Sequence, residues 1–184
     1  MEREQGNIIF LNGASSSGKS TIAKLLQERL VAPFLHMPLD SFIDMLPHVD
    51  DESVLRLAPG FHRAIAAMAE VGNNVIVDHV LVADGHWLRE CVRLLTGPVV
   101  FVGLHCTLPE LERRERDRDA KRQGFARAQF DIVHVGKTYD IELDTLVHTS
   151  SECADEIVAF FTEQEPTAFA RMRRSLGPDS YVDT

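Results

Sequence analysis

The chain has 184 residues, of which 45% are hydrophobic and 26% charged, the mix of a folded globular domain with room for a real core and not of a disordered, collagenous or coiled-coil chain. Its net charge of −9 argues against general nucleic-acid binding. No apolar run reaches the roughly 20 residues of a membrane helix, and the start Met1-Glu2-Arg3-Glu4-Gln5 lacks the basic-then-apolar order of a secretory leader. The expectation is a cytoplasmic protein with neither a membrane nor a nucleic-acid partner.

The run Asn7-Ile8-Ile9-Phe10-Leu11 is continuously apolar and stops at Asn12-Gly13, which predicts a buried strand. Residues 19–31 place Ile22, Ala23, Leu25, Leu26 and Leu30 at helical spacing. A short second strand is expected at 33–37, running into Asp40, and then a short helix at 41–46. Residues 47–60 are polar, carry Pro59-Gly60, and are expected to be irregular. A helix is predicted at 61–71, a third strand at 74–78, a helix at 84–95 and a fourth strand at 99–104. Residues 108–122 form a charged helix that opens on Pro109-Glu110, good first-turn residues. Gly124 breaks it, and a further helix is expected at 125–135. A fifth strand at 139–144 and a helix at 150–161 complete a domain of residues 1–163, with a lid at about 110–128. Residues 164–184 form a weakly helical tail around Arg171-Met172-Arg173-Arg174. Strands that alternate with helices imply an α/β fold, a five-stranded parallel sheet with helices on both faces.

The three cysteines, Cys91, Cys106 and Cys153, are odd in number and form no CxxC pair, so reduced thiols are expected and a structural zinc site is not. The eight histidines show no HExxH spacing.

The strongest chemical signal is Gly13-Ala14-Ser15-Ser16-Ser17-Gly18-Lys19-Ser20, a match to G-x-x-x-x-G-K-[ST]. It follows a predicted strand and opens a predicted helix, the setting a phosphate cradle requires. The glycines permit positive φ and close backbone approach, and the helix-start N–H groups, together with the helix dipole, attract phosphate oxygens. Lys19 would reach the terminal phosphates of ATP, Ser20 would hold Mg²⁺, and Thr21 continues the motif. The bland alternative is a plain Gly-Ser turn.

Asp40 falls just past the second predicted strand, on the sheet edge that also carries the phosphate loop. A carboxylate there can take a proton from an attacking hydroxyl or bind metal-held water, or it can simply cap the helix expected from residue 41. Asp78, after Val75-Ile76-Val77, sits where P-loop enzymes hold magnesium, with capping or turn chemistry as its alternative. Between 113 and 127, seven basic residues face three acidic ones, a local +4 that leaves −13 on the rest of the chain. Such a run is often only a solvated face. Arg114, Arg118 and Lys121, however, share one helix face, and that face could close on the phosphates already expected nearby. Asp144-Thr145, at the end of the fifth strand, are candidates for the adenine pocket.

Taken together the residues resemble the chloramphenicol phosphotransferase-like family of P-loop kinases. The resemblance runs from about residue 7 to 163. It rests on Ile9-Phe10-Leu11-Asn12-Gly13, Ser15-Ser16 and Gly18-Lys19-Ser20, Asp40-Ser41 with Met45-Leu46-Pro47, Gly60-Phe61-His62-Arg63 and Val75-Ile76-Val77-Asp78. Further matches are Arg114-Glu115, Arg118, Val133-His134, Tyr139-Asp140, Glu142, Asp144-Thr145 and Glu152-Cys153-Ala154. It implies a P-loop kinase fold with a helical lid and an ATP- and Mg²⁺-dependent transfer of phosphate to a hydroxyl of a small molecule, an antibiotic such as chloramphenicol among the candidates. It also implies that Asp40 is the general base and that Lys19, Arg114 and Arg118 stabilise the transferring phosphoryl group. Two other readings stand beside it. One is a nucleoside or metabolite kinase of the same fold. The other is a nucleotide-binding regulatory module docking through the basic tail. A homo-oligomer is compatible with all three.

Overall fold

The computed structural model describes residues 4–82, 85–118 and 123–176. Within them the chain runs β1 (Ile8–Asn12), α1 (Lys19–Arg29), β2 (Phe34–Pro38), α2 (Leu39–Ile43), α3 (Asp51–Glu70), β3 (Asn74–His79), α4 (His86–Leu94), β4 (Val99–His105), α5 (Leu108–Arg118), α6 (Phe125–Phe130), β5 (Ile141–Asp144), α7 (Ser150–Glu163) and α8 (Ala168–Ser175). The five strands form one sheet in the order β2-β3-β1-β4-β5, and every pairing is parallel. The chain winds to one side of β1 and then to the other, so β1 ends at the crevice where such sheets bind ligands.

Burial explains why β1 and β4 are unbroken apolar runs. Both strands lie inside the sheet with helices above and below, so neither face meets water. On one face Phe10, Phe61, Ile65, Val77, Trp87 and Phe101 pack with α3, α4 and α8. On the other, Leu11, Ile22, Leu26, Val102, Cys153 and Ile157 pack with α1 and α7. All three cysteines are free.

Two boundaries differ from expectation in a way that matters for the site. Residues 47–60 are not irregular throughout: α3 starts at Asp51 and runs straight through Pro59-Gly60. Asp50 caps it, its Oδ1 accepting from Ser53 N–H at 2.7 Å, and Asp51 and Glu52 suit the dipole of the first turn. Pro59 removes one helical hydrogen bond. Apolar positions on both sides of it, Val54, Leu57, Ala58, Phe61 and Ile65, still share one inward face, and that burial outweighs the lost bond. The helix expected from residue 41 instead starts at Leu39, behind an extended Pro38 that makes no side-chain cap. Asp40 is therefore a first-turn residue, not the cap. Other ends shift as well. The helix expected over 125–135 stops at Phe130, and β5 begins at Ile141.

Within the tail beginning at 164, α8 docks on the main core. Ala168 and Phe169 are buried, and the Phe169 ring meets Phe10 and Phe101 with centroids 6.0 and 5.2 Å away. Arg173 donates to the carbonyls of Val92 and Leu95 at 2.9 and 2.6 Å, satisfying the end of α4. Phe169→Ala should cost about 3–5 kcal/mol of unfolding free energy, measured by urea denaturation. A loss under about 1 kcal/mol would show that α8 contributes no core.

Candidate functional site: a phosphate loop between two carboxylates and a basic helix

The loop after β1 has the backbone the motif demands. Gly18 takes φ 96° at the N-terminus of α1, a left-handed value that glycine adopts without strain. At Gly13 a Cβ would lie 2.6 Å from both the Leu104 carbonyl oxygen and Ser17 Oγ, so only glycine fits. The first turn of α1 carries no acidic side chain, which leaves its N–H groups and dipole unanswered by the protein. Ser17 Oγ is buried and has no hydrogen-bond partner among the described residues. A nucleotide's phosphate chain fits such a cradle: it supplies the anion and the acceptors that the loop lacks.

Lys19 is buried, and its ammonium donates to the carbonyls of Gly13 and Ala14 at 2.8 and 3.0 Å. Burial lowers its pKa, the nearby charges of Asp78 and Asp40 raise it, and Arg118 lowers it again. Asp40 and Arg118, 78 residues apart in sequence, thus both lie within electrostatic reach of the loop lysine. Ser20 Oγ donates to Asp78 Oδ2 at 2.6 Å. His36 Nε2, from β2, stands 3.6 Å from the same oxygen. Burial pushes the Asp78 carboxyl up, but His36, Lys19 and Ser20 together hold it below the ordinary carboxylate range. A hydroxyl beside an ionised carboxylate at a phosphate loop suits Mg²⁺, which takes one or two protein oxygens and fills its other positions with phosphate and water. Asp78 is thus neither a cap nor a turn residue.

Arg114 and Arg118 of α5 have different surroundings. Arg114 donates from Nε to Glu110 at 2.8 Å, and from its two terminal nitrogens to Thr145 Oγ1 at 3.0 Å and the Thr145 carbonyl at 2.7 Å. That fastens α5 to the end of β5 and brings together two residues that the sequence had only suggested separately. Asp144 turns its Oδ1 onto Leu146 N–H. Arg118 is exposed at the end of α5, and Lys121, the third member of that face, lies outside the described residues. Arg113 is spent on Glu110 and Asp117 in exposed pairs, which are worth little.

Several residues complete the site without having been given a role by the sequence. Asn12 is fully buried at the end of β1. Its amide donates to the Val133 carbonyl at 3.0 Å and Tyr139 Oη at 2.7 Å, and its Oδ1 accepts from Leu81 N–H at 2.8 Å. Gln129 Oε1 accepts from Ser15 N–H at 2.7 Å, tying the α6 segment to the phosphate loop. Glu115 is buried and accepts from Gly124 and Ala126 N–H at 2.8 and 2.9 Å, closing the span between α5 and α6. Asn12 and Glu115 stood in the matched stretches without a role, and Gln129 in none.

Beneath the loop, His134 stacks on His105 at 3.9 Å, and its Nδ1 accepts from Tyr139 Oη at 2.8 Å. Burial and the neighbouring His105 lower the His134 pKa to about 4. A second feature lies on the far side, beside α2. There an open groove of about 410 Å³ is lined by Phe42, Leu46, Ser53, Arg56, Leu57, Gly60 and Phe61. Among the described residues no helix is long and apolar enough to cross a membrane.

A parallel α/β sheet with a phosphate loop at its switch point, and a carboxylate against the loop serine, defines a P-loop phosphotransferase. The sequence model of the chloramphenicol phosphotransferase-like protein family matches residues 6–162, and the chain belongs to that family. A Mycobacterium tuberculosis (strain H37Rv) relative named "Putative O-phosphotransferase Rv2636" is 29% identical over 92% of this chain and 89% of its own. The fold is shared with the M. tuberculosis APS kinase in complex with AMPPNP and APS. That chain is 17% identical, with a TM-score of 0.67, over 86% of this chain and 99% of its own. A gluconokinase from Sinorhizobium meliloti matches at 17% identity and a TM-score of 0.60, over 95% and 97%.

The neutral His134 gives a measurable pH dependence. Its folded pKa of about 4 lies below the unfolded value of 6.5, so between those pH values the unfolded chain binds a proton that the folded chain does not. Stability should therefore fall as pH drops from 7 to 5, by less than about 1.4 kcal/mol per unit from this group, because it is only half buried. Urea unfolding at both pH values should show a smaller fall in His134→Gln than in wild type, and equal slopes would remove His134 as a source.

Proposed function

We propose that the protein is an ATP- and Mg²⁺-dependent kinase that phosphorylates a hydroxyl group of a small molecule. The observation that carries this reading is the phosphate loop with its buried Lys19 and the 2.6 Å bond from Ser20 Oγ to Asp78, with the charges of Asp40 and Arg118 also acting on Lys19. The cation that would cradle the terminal phosphate, the carboxylate beside the metal position, a second carboxylate and a second cation all lie within one electrostatic neighbourhood.

The loop N–H groups from Gly13 to Thr21 bind and orient the phosphates, and Ser20 and Asp78 hold the Mg²⁺. That ion neutralises phosphate charge when bound. Lys19 leaves the Gly13 and Ala14 carbonyls for phosphate oxygens, and Arg118 meets the same charge from the α5 side. Arg114, fastened to Thr145, belongs to the base end of the nucleotide with Asp144 and Thr145 and orders the wall there. Asp40 takes the proton of the acceptor hydroxyl as its oxygen attacks the γ-phosphorus, and ADP departs with the bridging oxygen.

The groove between α2 and α3 begins at Phe42, two residues after Asp40, and supplies an acceptor pocket. Its walls are Phe42, Leu46, Leu57 and Phe61, with Ser53 and Arg56 as polar contacts. An acceptor with an apolar or aromatic body matches those walls better than a bare polyol, which favours an antibiotic such as chloramphenicol over a simple sugar as the first compound to try.

The test is ADP release with ATP, Mg²⁺ and a panel of hydroxylated compounds including chloramphenicol and nucleosides, with Lys19→Ala as the control. Acceptor-dependent release that vanishes in the control is expected. The same slow rate with every compound would count against the groove as an acceptor site. With the responding compound, Asp40→Asn should lower kcat by about 10²–10⁴-fold while ATP affinity stays within about twofold. A fully active Asn variant would remove Asp40 as the base.

A further inference from the structure

A buried polar chain runs from α4 through α3 to the last residue of β3. Glu90 Oε2 lies 2.7 Å from His62 Nδ1, His62 Nε2 lies 3.0 Å from His79 Nε2, and His79 Nδ1 lies 2.8 Å from Val80 N. His62 and His79 are buried at 0% and 1% exposure. The proton positions follow from one end. Val80 N–H can only donate, so His79 Nδ1 accepts and its proton sits on Nε2. That proton is donated to His62 Nε2, so the His62 proton sits on Nδ1 and is donated to Glu90. Every bond has one donor and one acceptor, with both rings neutral. Burial keeps them so by lowering both histidine pKa values. The charged and titratable groups around the chain are Glu90, Arg63, whose Nη1 is 3.4 Å from Glu90 Oε1, His86, Lys19 and Asp78.

Two fully buried histidines tied to a partly buried carboxylate are an expensive way to fill a core that Phe10, Phe61 and Trp87 already line. Their position explains them. The β2–β3 register ends at Pro38 opposite Asp78, so His79 has a strand partner only in Asn12 of β1. Neighbouring residues of a strand face opposite sides. Asp78 reaches Ser20 on the α1 side while His79 points into the α3–α4 side. Fixing the His79 ring at both nitrogens fixes the rotation of the strand end, and with it the direction of the Asp78 carboxylate.

We propose that Glu90, His62 and His79 are positioning residues. They hold the end of β3 so that Asp78 and Ser20 present their oxygens together to the divalent cation of a nucleotide complex. The inference rests on the reading of Ser20 and Asp78 as the Mg²⁺ end of the phosphotransfer site. It assigns no chemistry to the histidines themselves.

The experiment uses Mn²⁺ as the metal probe. Electron paramagnetic resonance reads its affinity for the full-length protein in the presence of ATP, and ATP affinity is measured separately in EDTA. Glu90→Leu removes the bond to His62, His62→Phe removes both bonds of that ring, and Glu90→Gln keeps the acceptor while removing the charge. The two bond-breaking variants should weaken Mn²⁺ binding by about tenfold, the scale seen when the groups that orient metal ligands are lost. ATP affinity in EDTA should stay within about twofold of wild type, and Glu90→Gln should match wild type in both measurements. If a folded bond-breaking variant binds Mn²⁺ like wild type, or loses metal-free ATP binding in parallel with its thermal midpoint, the chain is only core structure and the proposal falls. It also falls if Glu90→Gln is itself weakened tenfold, a result that remains readable should the other two variants not fold. Wild-type protein that binds ATP no better with Mn²⁺ than in EDTA would instead sink the Mg²⁺ reading of Ser20 and Asp78.

Discussion

A buried ammonium organises this molecule. Lys19 sits at the start of α1, where the helix dipole already places partial positive charge, and burial adds a desolvation penalty. Such a cation is tolerable only with compensation close by. The carbonyls of Gly13 and Ala14 provide part of it through hydrogen bonds, and the Asp78 and Asp40 carboxylates provide the rest through charge. The position of β3 beside β1, the placement of α2 straight after β2 and the glycine backbone of the loop all serve that arrangement. It is also an arrangement suited to an anion, since the first turn of α1 carries no acidic side chain and the buried Ser17 hydroxyl has no partner among the described residues.

Around that centre the protein fixes position with polar groups buried in its layers. Asn12 gathers three separate segments at the end of β1. Gly103 makes room for the Tyr139 ring that Asn12 needs: a Cβ there would lie 2.7 Å from the ring. Glu115 does the same for the joint between α5 and α6, using one carboxylate for two backbone donors. These groups are costly when unpaired and strongly directional when paired. They suit a site that must hold reacting groups within tenths of an ångström.

The divided roles of Arg114 and Arg118 follow from the same economy of placement. They share a helix face, but the first is immobilised by Glu110 and Thr145 and the second is exposed at the helix end. An arginine already bonded to the sheet edge contributes a wall. The groove between α2 and α3 follows β2 at one end of the sheet, while Arg114 is fastened to the end of β5 at the other.

Much of this was legible along the chain because its causes are local. The phosphate loop is eight contiguous residues, the inner strands are short apolar runs, and Asp40 and Asp78 follow strands whose order in an α/β fold sends both to one edge. The path of α3 through Pro59 was not legible. There a local breaker was overruled by burial of a face that only the assembled sheet provides. The contacts that finish the site were equally hidden. Ser20 with Asp78, Arg114 with Thr145, Ser15 with Gln129, and Glu90 with His62 and His79 join residues 17 to 114 positions apart. The sequence by itself determined the fold class, the phosphate loop and the edge where its chemistry lies, because those depend on periodicity and on backbone freedom at a few glycines. Tertiary structure alone decided which side chains complete the site, because a hydrogen bond depends on a distance and an angle that no spacing along the chain encodes.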